Sequence, residues 1–265
     1  MYIFELVQPG CWLKGIDDKV VQGDVESLLH LLSNCISDAA LALSLFEESQ
    51  ALESVQHGDR KTEWEEDRQR ERAIVVRLEG ELPDDLDYEA RRRAEDQIRE
   101  LAAHEAKRQK WQEGRVPDEY INRLPFLHAK SFVYALDTLQ KSMELLASMG
   151  AVPPGVSDAW RDFKAAFPDL VHVRNSAHHI EERVQGKHWA KRIDLKPLSN
   201  DAFHAPNGGV LISDMLMGRR YGGTLADGRY GEVEISAETV TAAQGTVQRV
   251  LNAFDWTGPA MHMPR

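Results

Sequence analysis

The sequence has few of the features that mark several large classes of protein. Its only cysteines are Cys11 and Cys35, and no C-x-x-C pair occurs. Two cysteines cannot form a disulfide framework, and without a C-x-x-C pair a zinc ribbon is excluded. The N-terminal segment MYIFELVQPGCWLKG lacks a basic region followed by an apolar core, and no apolar run approaches the roughly 18 residues of a membrane span. We therefore expect a soluble, cytoplasmic protein that does not contact a membrane.

The chain also lacks an excess of basic residues. With 32 Lys+Arg against 43 Asp+Glu, its net charge is −11. Phosphate is repelled at long range by such a protein, which excludes a general nucleic-acid coat but not a local basic site. The 265 residues, 42% of them hydrophobic, are enough for one large domain or two small ones with a sizeable core.

Apolar residues recur at the three- and four-residue spacing of buried helix faces. This spacing predicts helices over residues 24–57, 118–149, 158–167, from the FPDL segment through Val184, and from Ser236 to about 254. Asp24, Ser157 and Ser236 are the expected N-caps of three of these helices. Pro125 is expected in a first turn or at a kink, because it cannot donate to the helix ladder.

Residues 59–116 differ sharply in composition from the rest of the chain. In this window 31 of 58 residues are charged, 17 acidic and 14 basic, with alternating signs. The pattern predicts two helices that are broken at ELPDDLD and carry i,i+4 ion pairs on solvated faces. A charged arm that binds a protein partner is the functional alternative.

The segment after Gly186 predicts strands. Residues 209–235 read as a small antiparallel meander with ADGR as a hairpin turn, and the tail TGPAMHMPR is expected to fray. The predicted fold is mainly α: a helical bundle with a charged two-helix insertion and a β-meander before its last helix. The predicted divisions are 1–58 and 117–186 as bundle, 59–116 as the charged arm, and 187–265 as meander plus last helix.

The densest chemistry lies in VRNSAHHIEER, residues 173–183. On a helix, Arg174, His178 and Glu182 align at i, i+4 and i+8, with Asn175 and His179 beside them. The basic residues Arg183, Lys187, Lys191 and Arg192 follow within a few positions. They predict a local site for phosphate in an otherwise acidic protein.

The RNSAHH segment resembles the signature of the HEPN superfamily, in which an arginine precedes a histidine by four to six positions on a late helix of an α-bundle. Four Arg-x4-His pairs occur in the chain, but only Arg174 is followed by asparagine. The resemblance implies a HEPN-like bundle and a homodimeric, metal-independent ribonuclease, although some members have no demonstrated catalysis. It leaves open whether the chain is a toxin, a defence nuclease or an inactive relative.

The residues suit metal-free RNA cleavage. A histidine can take the 2′-hydroxyl proton or protonate the leaving 5′-oxygen, an arginine can stabilise the charged transition state, and Asn175 can position either group. A two-fold dimer would bring two copies of Arg174 and its histidine into one cleft. The family spacing favours His179, which we place first, whereas straight-helix geometry favours His178, about 40° from Arg174. No cofactor is expected.

Three alternatives remain at this point. Arg174 can form an exposed ion pair with Glu181 or Glu182. His178 or His179 can bind a metal together with Glu182, with His172 or His188 as a third ligand. The chain can also be a non-catalytic module for dimerisation, regulation or nucleotide binding.

Overall fold

The computed structural model describes residues 1–58 and 60–264 and is mainly helical. Its helices are α1 Lys19–Gly58, α2 Arg60–Glu79, α3 Tyr88–Gln112, α4 Asp118–Ser148, α5 Pro154–Ala166, α6 Leu170–His178, α7 Ile180–Arg183 and α8 Ala237–Ala253. Its strands are β1 Leu6–Gln8, β2 Trp12–Leu13, β3 Lys187–His188, β4 Lys191–Arg192, β5 Leu198–Ser199, β6 His204–Ala205, β7 Met215–Met217, β8 Arg220–Thr224, β9 Tyr230–Glu234, β10 Trp256–Thr257 and β11 Met261–Met263. The prediction of a mainly α protein with short antiparallel strands is confirmed.

The chain forms two compact units. Unit 1 comprises Met1–Glu47 and Pro125–Arg265, and unit 2 comprises Glu48–Leu124. Unit 2 contains the predicted charged segment, lengthened at both ends. The four-part division predicted from the sequence is finer than these two units.

Unit 1 has one continuous hydrophobic core, to which α1, α4, α6 and α8 contribute the faces that the periodicity predicts. Its enclosed members include Leu32, Ile36, Leu43, Phe46, Phe132, Leu136, Leu139, Leu170, Val240 and Val247. Leu127 and Val184, which the same periodicity places in the core, are exposed. Val184 lies beyond a break in the helix at His179, where the helical repeat no longer fixes which side is buried.

The segment Lys19–Leu52 is long and apolar enough to cross a membrane by length and composition alone. However, 56% of its most apolar window is buried inside the protein. A core helix of a globular protein passes the same test, so this finding is weak support for a membrane span.

The strands join distant parts of the chain. In the antiparallel sheet β7–β8–β9, Tyr221 pairs with Leu216 on one side and Val233 on the other. The predicted ADGR turn joins β8 to β9, and Gly228 takes φ +87° there, where an added Cβ would clash with the Asp194 carbonyl. The prediction of a frayed tail is wrong, because β10 and β11 pair with the N-terminal strands β2 and β1.

Several helix starts differ from the prediction for local reasons. Helix α1 begins at Lys19 rather than at Asp24, since the Asp18 carboxylate accepts the backbone N–H of Val20 at 2.8 Å. Helix α5 begins at Pro154 instead of after Ser157, because a proline suits the first position of a helix. Pro125 lies inside α4, beyond the first turn. The Ser236 cap is confirmed, with its Oγ accepting from the Thr239 N–H at 3.2 Å.

Unit 2 contains α2 and α3 as a helical hairpin, as the charge pattern predicts. Its apolar cluster is small and centres on Ile74, Ala102 and Ala106. Ion pairs connect the two helices around this cluster, including Arg70–Glu113 at 2.6 Å, Lys110–Asp67 at 2.8 Å and Arg77–Glu105 at 2.7 Å. These pairs join α2 to α3 and its C-cap Glu113, whereas the prediction was of i,i+4 pairs within each helix; Arg77–Glu81 at 3.3 Å is one pair of the predicted kind.

Candidate functional site: the Arg174 cluster

Helix α6 carries the RNSAHH segment, except for its last histidine, on the surface of unit 1. Leu170, Val173 and Ser176 are its buried residues, and the helix packs against β8 and β9. It ends at His178, because His179 leaves the helical conformation with φ −102° and ψ 43°. The prediction of one helix through Val184 is therefore wrong at His179, and a separate short helix α7 follows.

Arg174 contacts α4 rather than its own downstream glutamates. Its Nε lies 3.0 Å from Oδ2 of Asp137, although this N–H is not aligned for a hydrogen bond. Its Nη1 donates to the Asn175 side-chain oxygen at 2.9 Å, and its guanidinium carbon lies 5.4 Å from the centre of the Tyr134 ring. The predicted pairs with Glu181 or Glu182 are replaced by a pair with Asp137. Sequence reasoning missed Asp137 and Tyr134.

Asp137 is a buried carboxylate that faces two cations. Only 2% of its side chain is exposed, and its Oδ2 lies 2.7 Å from Lys141 Nζ as well as 3.0 Å from Arg174 Nε. Its Oδ1 has no hydrogen-bond partner among the residues that the structure describes. Burying a charge is unfavourable unless partners compensate, so the two cations are what keep this carboxylate in place. Asp137 thereby fixes the position of the Arg174 side chain.

Arg174 keeps donors for a ligand in this arrangement. A guanidinium has five N–H donors. One, at Nε, faces Asp137 and one at Nη1 is given to Asn175, while Nη2 donates to no other residue that the structure describes. The remaining donors are enough for the two oxygens of a phosphoryl group.

Tyr134 connects Arg174 with the first of the two histidines. Its hydroxyl lies 3.2 Å from Nδ1 of His178, and the two rings meet edge to face at 6.4 Å between centroids. Burial raises the pKa of Tyr134 above its ordinary value, so the phenol keeps its proton at neutral pH. Because the contact is made at Nδ1, Nε2 is the ring nitrogen of His178 that Tyr134 does not engage.

The geometry favours His178 over His179, contrary to our preference from the family spacing. Arg174 and His178 stand one turn apart on the same helix and both contact Tyr134. His179 lies beyond the end of that helix, 3.8 Å from a Glu181 oxygen, with 47% of its side chain exposed. The two imidazoles nevertheless stay close, with ring centroids 5.0 Å apart.

The four basic residues predicted to bind substrate separate into two kinds. Arg183 is only 1% exposed, and its Nη1 donates to the Lys187 carbonyl at 2.7 Å while its Nη2 lies 3.2 Å from His188 Nδ1. It is a structural residue, and a substrate-binding role for it does not fit the structure. Lys191 and Arg192 are exposed and Lys187 is half-buried on the hairpin of β3 and β4.

The alternative of a metal site at His178 or His179 with Glu182 requires a third ligand. Among the residues that the structure describes, no group of three or more His, Cys, Asp or Glu is placed to hold an ion. The carboxylate of Glu182 instead accepts the Trp189 backbone N–H at 3.0 Å, and this hydrogen bond lowers the pKa of Glu182.

Comparison with protein-family models, curated proteins and solved structures finds no match. The function of the Arg174 cluster therefore has to be inferred from its own geometry.

Proposed function

We propose that this protein is a metal-independent endoribonuclease of the HEPN type, acting as a homodimer of HEPN-like bundles. The observation that carries the proposal is the pairing of Arg174 with His178 through Tyr134 on the surface of α6. An arginine with free donors beside a histidine can bind a phosphodiester and move a proton to or from it.

The reaction uses only groups of the chain and the RNA. A histidine takes the proton of the 2′-hydroxyl, the 2′-oxygen attacks phosphorus, and Arg174 stabilises the charge that develops on the phosphoryl oxygens. The bond to the 5′-oxygen breaks, and a second imidazole supplies the proton of the leaving group. That imidazole is His179 or a histidine from the second copy. The products are a 2′,3′-cyclic phosphate and a 5′-hydroxyl.

An apolar groove beside the cluster supports the dimer. It has a volume of about 410 Å³ and lies between α1 and α4, lined by Leu41, Leu45, Ala135 and Tyr134, among others. Leu41 is 52% exposed. Because Tyr134 also contacts Arg174 and His178, an isologous contact across this groove would bring two copies of the cluster near each other. Leu41→Glu is expected to convert a dimer to monomers in size-exclusion chromatography with light scattering.

The test of activity is cleavage of mixed RNA in EDTA by the wild type and four variants. Arg174→Ala should lower the rate on the order of 10²-fold or more. His178→Ala should lower it by roughly 10²–10⁴-fold. His179→Ala tests the second imidazole, and His172→Ala, an exposed histidine on the same helix, is the matched control and should be neutral. Intact RNA with folded wild type, or equal rates for wild type and Arg174→Ala, would contradict the proposal.

A second candidate is a non-catalytic module of similar fold that dimerises or binds a nucleotide. This candidate is favoured because Asp137, at 3.0 Å, already compensates the charge of Arg174. This candidate predicts a dimer that leaves RNA intact while Arg174→Ala still lowers stability. A protein partner for the charged arm and a cytoplasmic location stay predictions.

A further inference from the structure

The hairpin formed by β3 and β4 carries an exposed tryptophan at its tip. The turn consists of Trp189 and Ala190, between the paired residues His188 and Lys191. Trp189 is 79% exposed. A large aromatic ring held this far into solvent contributes little to the hydrophobic core, so its packing does not explain its position.

The backbone of the turn is unfavourable for the residues that occupy it. Trp189 has φ 51° and Ala190 has φ 63°. Two-residue hairpin turns with positive φ at both positions normally use asparagine, aspartate or glycine, and a bulky residue there is an outlier. Such conformations persist when surrounding contacts impose them, and they concentrate at functional sites.

Residues that follow α6 impose this conformation. Glu182 accepts the Trp189 N–H at 3.0 Å. The buried Arg183 holds both β3 residues, through the Lys187 carbonyl at 2.7 Å and His188 Nδ1 at 3.2 Å. The exposed tip is therefore fixed to α7, two residues beyond His178, by groups that are themselves partly or fully buried.

The hairpin also carries three basic side chains, Lys187, Lys191 and Arg192, and contains no acidic residue. Lys187 lies directly opposite Arg192 in the register, an arrangement of like charges that destabilises a strand pair. Lys191 and Arg192 form no ion pair with any residue that the structure describes. In a protein of net charge −11 these cations suit an anionic ligand.

An exposed aromatic ring among cations is the arrangement that proteins use for single-stranded nucleic acid, in which bases stack on the ring and phosphates meet the charges. We propose that the β3–β4 hairpin binds an unpaired nucleobase on Trp189 and its flanking phosphates on Lys187, Lys191 and Arg192. The ligand is single-stranded RNA. The choice of RNA over single-stranded DNA rests on the proposed function, whereas the binding of a single strand does not. The hairpin would present the strand to the Arg174 cluster.

The experiment measures binding of a fluorescein-labelled 2′-O-methyl oligonucleotide of eight residues, in EDTA and low salt, by anisotropy. The 2′-O-methyl group removes the nucleophile, so binding is read without cleavage. Trp189→Gly and Trp189→Leu should each weaken binding roughly 5- to 100-fold, as expected for the loss of one base stack. Ala190→Gly, which changes the same turn but keeps the ring, should bind as the wild type does.

Stability and salt dependence separate this site from a structural role. Because glycine accepts positive φ, Trp189→Gly and Ala190→Gly should leave the Tm unchanged or raise it. Lys191→Gln and Arg192→Gln should each reduce the slope of log affinity against log salt by about 0.7, the value for one phosphate contact on a single strand. A duplex of the same sequence should bind more weakly than the single strand, because its bases are already stacked.

Three results would overturn the proposal: no binding by the wild type at low salt, equal affinity for wild type and both Trp189 variants, or a duplex bound as well as the single strand. Binding that depends on Trp189, with unmodified RNA left intact, would refute the ribonuclease and leave the hairpin site standing. Cleavage that depends on Arg174, together with binding that does not change in the Trp189 variants, would refute the hairpin site and support the ribonuclease.

Discussion

Removing Arg174 should lower stability as well as activity, because its guanidinium compensates a buried carboxylate. From the sequence we would expect Arg174→Ala to be structurally silent, since a polar helix face contributes little to a core. Asp137, however, is 2% exposed and lies 3.0 Å from Arg174 Nε. At that separation the pair is worth about 5 kcal/mol of Coulomb energy at an effective dielectric constant of 20, before desolvation is subtracted.

Three observations reduce the net effect. Lys141 still faces Asp137 at 2.7 Å after the substitution. The Arg174 side chain is 24% exposed, so water partly screens it, and its Nε does not form an aligned hydrogen bond with the carboxylate. Breaking a buried ion pair costs about 3–5 kcal/mol, and we therefore expect Arg174→Ala to cost about 2–3 kcal/mol. Arg174→Lys keeps the charge and should cost about 1 kcal/mol.

Urea unfolding at neutral pH measures these losses in a double-mutant cycle. Asp137→Asn removes the carboxylate, and the variant that combines it with Arg174→Ala should be destabilised by at least about 1 kcal/mol less than the sum of the two single variants. Hydrogen exchange of α4 and α6 peptides assigns the loss to unit 1. An Arg174→Ala variant within about 0.5 kcal/mol of the wild type, or strict additivity, would refute the reasoning.

Other predictions concern groups away from Arg174. At pH 8 a thiol reagent should label one cysteine of the folded chain, Cys11, because burial raises the pKa of Cys35 to about 11; rapid labelling of both would contradict this. Burial also raises the pKa of Tyr134 above 10.0, so the stability that its neutral phenol contributes is complete below pH 10 and is lost as pH rises further. Wild type should therefore lose stability relative to Tyr134→Phe above about pH 10, and parallel pH profiles would count against the burial of this phenol. Ile74→Ala removes the largest member of the small cluster in unit 2, and should destabilise the α2–α3 hairpin by about 2–4 kcal/mol. Hydrogen exchange should accelerate in α2 and α3 peptides but not in α8, and uniform acceleration would show that the units do not unfold separately.

The helices could be predicted from the sequence because their information is local. A stripe such as Leu32, Ile36, Leu43 and Phe46 repeats at the helical period, and burial in the unit 1 core follows from it. The terminal strands carry no such signal. Leu6 pairs with Met263 across almost the whole chain, and a two- or three-residue strand is too short for alternation to be recognised.

The candidate site could be predicted only in part, for related reasons. The pairing of Arg174 with an i+4 histidine follows from helix geometry, but Asp137 and Tyr134 come from another helix 37 and 40 positions earlier in the chain. One signal could have pointed to Asp137: a carboxylate between Leu136 and Leu139 in an otherwise apolar stripe, which needs a cation beside it. The break at His179 has no comparable signal, because no glycine or proline marks it.

Arg174 and Arg183 differ in how much of each guanidinium the fold already uses. Both arginines precede a histidine by five positions, so the spacing alone does not distinguish them, although only Arg174 is followed by asparagine. All three guanidinium nitrogens of Arg183 contact other residues of the chain. Nε lies 3.4 Å from Ser176 Oγ, Nη1 donates to the Lys187 carbonyl and Nη2 contacts His188. A phosphate could reach it only if the α7–β3 turn opened. Arg174 is held at Nε and at one Nη1 hydrogen by Asp137 and Asn175, and its other donors have no hydrogen-bond partner among the residues that the structure describes. It can therefore receive a phosphoryl group without breaking any contact that positions it, which is what stabilising a transition state requires of a preorganised donor.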